Sequence, residues 1–148
     1  KADVPSTGSA TYNGGAAGVL FSNGAQNLNI DIFGDSEVAV NFAGRTVTAN
    51  VTNISAKASG TDTQVATPLN TITVTGMTIT ADGRRFSGGT ITTTGNVTSA
   101  NITGANTVQE AKGAFYGFDA TNSRPDEIGG MILESGADGH IVTTFIAD

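Results

Sequence analysis

The feature that most constrains this chain is alternation with a period of two. Leu28, Ile30 and Ile32 alternate with Asn27, Asn29 and Asp31. Val38, Val40 and Phe42 alternate with Glu37, Ala39 and Asn41, and Val47, Ala49 and Val51 with Thr46, Thr48, Asn50 and Thr52. Successive side chains of a strand face opposite sides, so each run carries one dry face and one wet face. That pattern belongs to antiparallel sheet rather than to the doubly buried strands of α/β folds. No stretch of a dozen residues repeats apolar positions at helical spacing without Gly or clustered β-branched residues. The expected class is therefore all-β.

One run breaks phase. Ile72 and Val74 are even, Met77 and Ile79 are odd, and Gly76 stands between them. A one-residue slip would turn the second pair out to water, so a β-bulge at Gly76 is expected, bending the strand as a closed barrel needs. Asp82-Gly83, Asp138-Gly139, Asn23-Gly24, Gly34-Asp35 and Gly95-Asn96 read as tight turns. Strands are expected near 8–20, 26–33, 36–43, 45–54, 71–81, 85–93, 97–103, 108–118, 127–134 and 139–147. With some merging, this predicts a single antiparallel up-and-down barrel of about eight strands, its interior filled by side chains. One domain spans 1–148, with 1–7 as a flexible linker. Ser55–Asn70 and Asp119–Asp126 are expected as polar loops with room for contacts.

Composition narrows function mainly by exclusion. Only 14% of the 148 residues are charged, seven of them Lys or Arg, and the net charge is −6. A phosphate-gripping surface needs more cations, so nucleic acid and anionic membrane surfaces are not expected partners. No apolar stretch is long enough for a transmembrane helix. Cysteine is absent and His140 is the only histidine, which leaves no zinc set and no metal site is expected. Asp126-Glu127 is the only adjacent carboxylate pair. The string Gly34-Asp35-Ser36 resembles the nucleophile segment of GDS-type esterases, but no Asp stands three residues before His140 and no crossover helices are readable, so a turn is preferred. Asn-x-Ser/Thr triplets begin at Asn50, Asn53, Asn96 and Asn101, and no glycan is read from them. His140 and Tyr116 are the residues weighed as haem ligands.

The C-terminal third carries a more specific string. Gly113, Phe115, Tyr116 and Gly117 are followed by Glu127, Gly129 and Gly130, and then by Phe145 and Ala147 in the last strand. Upstream, Ala10-Thr11-Tyr12-Asn13-Gly14 opens the first strand, and Ser36 to Thr52 reads as a hairpin. In this order the motifs resemble the C-terminal β-barrel domains of transferrin-binding protein B, and more distantly the factor H-binding lipoprotein barrels. The resemblance implies a bacterial lipoprotein at the outer-membrane surface or secreted, with any lipid anchor lying upstream. It implies a non-enzymatic binding module, without cofactor, presenting loops to a protein partner in iron or haem acquisition. Lys57, Asp62 and Gln64 in one loop and Arg124 in the other are the expected contacts. Two alternatives stay open: a haem or small-ligand binder using the barrel mouth, and a structural or inhibitory surface protein without an iron role.

Overall fold

The computed structural model describes residues 4–23, 28–97, 108–117, 121 and 124–148. Ten strands follow one another: β1 (Ser9–Ser22), β2 (Leu28–Asn41), β3 (Thr46–Ala58), β4 (Gln64–Val65), β5 (Leu69–Ile79), β6 (Arg85–Ser87), β7 (Thr90–Gly95), β8 (Val108–Tyr116), β9 (Glu127–Gly136) and β10 (Gly139–Ala147). There is no helix among the described residues. Antiparallel ladders run β1-β2-β3-β5-β6-β8-β9-β10 and back to β1, closing a ring of eight strands. β4 on β3 and β7 on β5 lie outside that ring. Closure leaves the eight-stranded wall without an open edge along the ring.

The interior is packed. Tyr12, Leu20, Ile32, Val38, Val47, Ile72, Met77, Phe86, Ile128, Ile132 and Ile141 are almost fully buried. Phe115 stacks at a tilt against Phe86 (5.4 Å) and Phe42 (6.1 Å). Gly113 and Gly130 make room for this. A Cβ on Gly113 would strike the Phe86 ring and the Gly129 carbonyl, and one on Gly130 would meet the Phe145 ring at 2.6 Å. Ile128 and Phe145 are buried in the core, and Phe115 is partly buried and packed against that core. The buried charged residue among the described residues is Glu134, which is 1% exposed; its carboxylate accepts from Thr93 Oγ1 (2.8 Å) and Gln109 Nε2 (2.6 Å).

The bulge expected at Gly76 is present. Ala49 pairs Val74 and Val47 pairs Met77, so β5 holds two residues against one, and Gly76 has φ +75°. Two further bulges carry out the same correction. Asn53, at φ +51°, lets Val51 and Ile54 both point inward, and Asn70 does so for Leu69 and Ile72.

Other expectations are corrected. Gly34-Asp35 is not a turn: β2 runs straight through it, because Gly34 stands opposite the Asn53 bulge and Asn53 Nδ2 donates to Asp35 at 2.7 Å. The two expected strands there are one. The loop at Ser55–Asn70 is shorter than expected, since β3 continues to Ala58 and β4 folds back on it. The 85–93 strand divides at Gly88-Gly89, opposite the β5 bulge. The last hairpin turns on Ala137-Asp138, with Gly139 already paired to Gly136. The strand expected at 97–103 lies outside the described residues from 98 onward, as do Gly24 and residues 1–3.

The close approach at Gly113 sets a contrast with Gly15, whose Cβ would meet nothing within 4 Å. Gly113→Ala is expected to destabilise by roughly 1–3 kcal/mol through overpacking. Gly15→Ala is expected to be neutral or to stabilise by up to about 1 kcal/mol. Urea denaturation of both variants measures the difference; equal midpoints would mean that the barrel does not close around Phe86 as described.

Candidate binding surface

A filled lumen leaves three surfaces for work: the two ends and the outer wall. The β2–β3 turn, the β5–β6 turn, the β8–β9 connection and both chain ends share one end, called here the terminal end. All four arginines of the sequence stand there: Arg45, Arg84, Arg85 and Arg124. Arg45 donates to the Ile79 and Thr80 carbonyls and so ties two turns together. Arg124 lies 5.7 Å from the centre of the Tyr12 ring, and the Tyr12 hydroxyl donates to the Pro125 carbonyl at 3.1 Å. Burial pushes the Tyr12 phenol above its ordinary pKa; the Arg124 charge pulls it back in part and Asp126 adds to the rise.

Lys57, Asp62 and Gln64 gather at the opposite end. Lys57 Nζ pairs with Asp62 at 3.1 Å and stands 5.8 Å over the Phe33 ring, while Gln64 lies beside it on β4. These three, named in one loop, lie together, and Arg124, named in the other, is separated from them by the length of the barrel. His140 and Tyr116 are also far apart. Tyr116 pairs Glu127 and His140 pairs Ser135, eight residues along β9, or about 26 Å. Both lie on the outer wall, and His140 stacks on Phe21 at 5.2 Å. The two therefore form no common ligand set. Ser36 is buried, and its hydroxyl donates to the Gly15 and Ile146 carbonyls at 3.3 and 3.2 Å. Through the β1 register it lies seven residues, about 23 Å, from His140. Among the described residues no three His, Asp or Glu side chains converge on a metal position.

The outer wall has two characters. On β3, β5 and β7 it is a Thr and Asn surface, where Thr71 and Thr94 share a hydrogen bond of 2.7 Å. Around β1, β9 and β10 the outward set is instead Gly15, Ala17, Val19 and Phe21, then Gly129, Met131 and Leu133, then His140, Val142, Thr144 and Ile146. The register lines Val19, Val142 and Leu133 into one row across three strands, with Phe33 beside them on β2. Val19 is 39% exposed, Phe33 42% and Ile146 59%. Sequence reasoning named loops for contact and left this wall unassigned. Its signal was legible, since Ile128 to Leu133 and Ile141-Val142 are apolar on both alternating sets, the pattern of strands covered on two sides.

Comparison with known proteins bears on the family and the fold. The family described as the C-lobe and N-lobe β-barrels of Tf-binding protein B matches residues 4–148. Among solved structures, intact Ap-TbpB with its N and C lobes superposes with a TM-score of 0.54 at 18% identity, over 99% of this chain and 27% of that one. A mutant of the vaccine antigen transferrin-binding protein B from Haemophilus parasuis Hp5 gives a TM-score of 0.58 at 15% identity, again over 99% and 27%. This chain thus spans about a quarter of the length of those proteins. No curated protein matches it by sequence.

Tyr12 supplies the prediction for this region. Its raised pKa means that the unfolded chain ionises first as pH climbs, so the Tyr12 contribution is complete below about pH 10 and is lost above it. Tyr12→Phe is expected to cost about 1 kcal/mol at neutral pH, by leaving the Pro125 carbonyl unpaired. It is also expected to show a smaller fall in stability between neutral and strongly alkaline pH than the parent. Urea midpoints at the two pH values test both; an equal alkaline loss in the variant would remove Tyr12 from the titration.

Proposed function

This chain belongs to the family of transferrin-binding protein B barrels, and we propose on that premise that it is a protein-binding module working in iron acquisition. Members of the family are surface lipoproteins of Gram-negative bacteria and act as binders rather than catalysts. The solved relative from Haemophilus parasuis is named for binding transferrin. An iron carrier of that kind is the partner proposed for this chain.

The observation that carries the reading is the apolar row Val19–Val142–Leu133 with Phe33, bordered by Lys57 and its loop. A contiguous apolar patch rimmed by polar groups is the usual anatomy of a protein interface. A packed interior offers a partner no cavity, so contact falls on the wall and the loop beside it. Lys57, Asp62 and Gln64 then form the polar rim on that side.

Immobilised chain exposed to iron-loaded and iron-free transferrin is expected to show saturable binding. Val19→Asp and Phe33→Asp, both on exposed positions, are expected to weaken it by about tenfold or more while leaving the circular dichroism unchanged. Failure of both transferrin forms to bind would sink the iron reading. Binding indifferent to both substitutions would move the interface elsewhere.

A further inference from the structure

Lower on the same wall, toward the terminal end, a groove of about 780 Å³ runs from β6 across β8 and β9 to β10. The register builds its floor: Arg85, Ala114, Gly129 and Ile146 stand in one row on neighbouring strands. Ala114 and Gly129 leave the sheet nearly bare. The Tyr116 ring leans to 3.4 Å from where a Gly129 Cβ would stand, and Met131 and Ile146 complete the walls. Tyr116 is 53% exposed. The volume lies within the roughly 300–1,000 Å³ of small-molecule sites. From Arg85 to Ile146 is three strand spacings, about 14 Å, a span that an extended dodecyl chain covers.

Charge is placed at one end of this groove. Arg85 and Ala114 also line a second hollow of about 300 Å³, with Arg84, Val4 and Pro125. Among the described residues no carboxylate pairs with Arg84 or Arg85; the ion pairs are Lys57–Asp62 and Lys112–Glu110. Asp82 lies near enough to feel both arginines, but its carboxylate is engaged by Thr80 Oγ1 (2.6 Å) and the Arg84 amide (3.1 Å). Glu127 stands on the groove rim beside Tyr116, on the neighbouring strand. Arg85 thus stands without an ion pair at the β6 end, beside Lys112, which Glu110 neutralises; Glu127 lies on the rim, and the β9–β10 side, with Gly129, Met131 and Ile146, is apolar.

We propose that this groove binds a single-chain amphipathic anion, a long-chain carboxylate whose head meets Arg85 and whose alkyl chain lies over Ala114 and Gly129 between Tyr116 and Ile146. A planar carboxylate matches the guanidinium fork, and a monoanion suits a site where Arg85 is opposed by Glu127 across the rim. Each methylene withdrawn from water against Tyr116, Met131 and Ile146 adds affinity. The site is independent of the protein-partner reading, since it involves none of Val19, Phe33 or Lys57.

The sequence has no Trp and two Tyr; Tyr12 is buried and does not line the groove, so a ligand-dependent change in tyrosine emission reports on Tyr116. Titration with dodecanoate below its micelle concentration is expected to give a saturable change. Dodecyltrimethylammonium is expected to bind at least about tenfold more weakly, and Arg85→Gln to lose about tenfold for dodecanoate. Gly129→Val, which fills the groove, is expected to abolish the response. Gly15→Val, which fills the open hollow on the other side of Ile146, is expected to leave it intact. The proposal is overturned by no saturable response, by equal binding of the cationic amphiphile, or by an unchanged Arg85→Gln. Tighter binding of dodecyl phosphate would overturn the choice of head group. A dimer by light scattering that Gly129→Val dissociates would assign the groove to a second copy of the chain instead. Because Arg85 is exposed, Arg85→Gln keeps the test decisive even if Gly129→Val does not fold.

Discussion

Everything in this structure depends on keeping one side-chain set inside a closed ring. An open sheet can let a strand slip in register at its edge. A closed barrel cannot, because a slip by one residue exchanges the dry and wet faces and each strand is held on both sides. Long, strongly bent strands make that hard. β3 and β5 solve it with an extra residue at Asn53, Asn70 and Gly76, each placed where the inward set changes from odd to even or back. The bulges therefore cost ladder hydrogen bonds locally but preserve burial of Ile54, Ala56, Met77 and Ile79, which are worth far more.

The same constraint explains what could be read in advance and what could not. The Gly76 bulge was legible because the apolar residues on both sides are large and the glycine marks the switch. The Asn53 bulge carries the same phase change, Val51 to Ile54, but asparagine announces left-handed backbone less clearly than glycine, and the segment beyond it reads as loop. That oversight produced the next one. Without the bulge, Gly34-Asp35 had no partner that would explain a glycine mid-strand, and its dipeptide chemistry pointed to a turn. Local turn propensity lost to a long-range pairing, which a single sequence does not display. The motif residues Gly129 and Gly130 read as positions of close approach or a bend; Gly130 is one, whereas Gly129 opens onto the groove. That Phe86 and Phe145 are the rings filling the space at Gly113 and Gly130 depends on strands far apart in sequence.

The candidate surface followed the same division. Lys57, Asp62 and Gln64 are near in sequence and were found together. Arg124 and those three were expected to serve one function as loop residues, yet strand count parity sends their connections to opposite ends. His140 and Tyr116 were each named by chemistry alone, and the β9 register places them at opposite ends of the wall. The apolar outer wall was present in the sequence as runs without alternation. It was overlooked because a run apolar on both faces in a barrel looks like a stronger strand rather than a second surface.

A chain with a net charge of −6 is at first sight a poor host for an anion. The long-range field does oppose one, but at physiological salt it decays over about 8 Å. Around the groove the balance is local: Arg84 and Arg85 stand without ion-pair partners among the described residues, Lys112 is matched by Glu110, and Asp82, Asp126 and Glu127 are opposing charges nearby. The scarcity of cations sharpens the point. With all four arginines at the terminal end and two of them tying Thr80 and Tyr12 into the wall, the free guanidinium groups are confined to one turn. Low charge density elsewhere means that surface recognition must come from apolar contact. The barrel supplies that contact on one side only, where β1, β9 and β10 expose what a soluble wall would ordinarily cover with Thr and Asn.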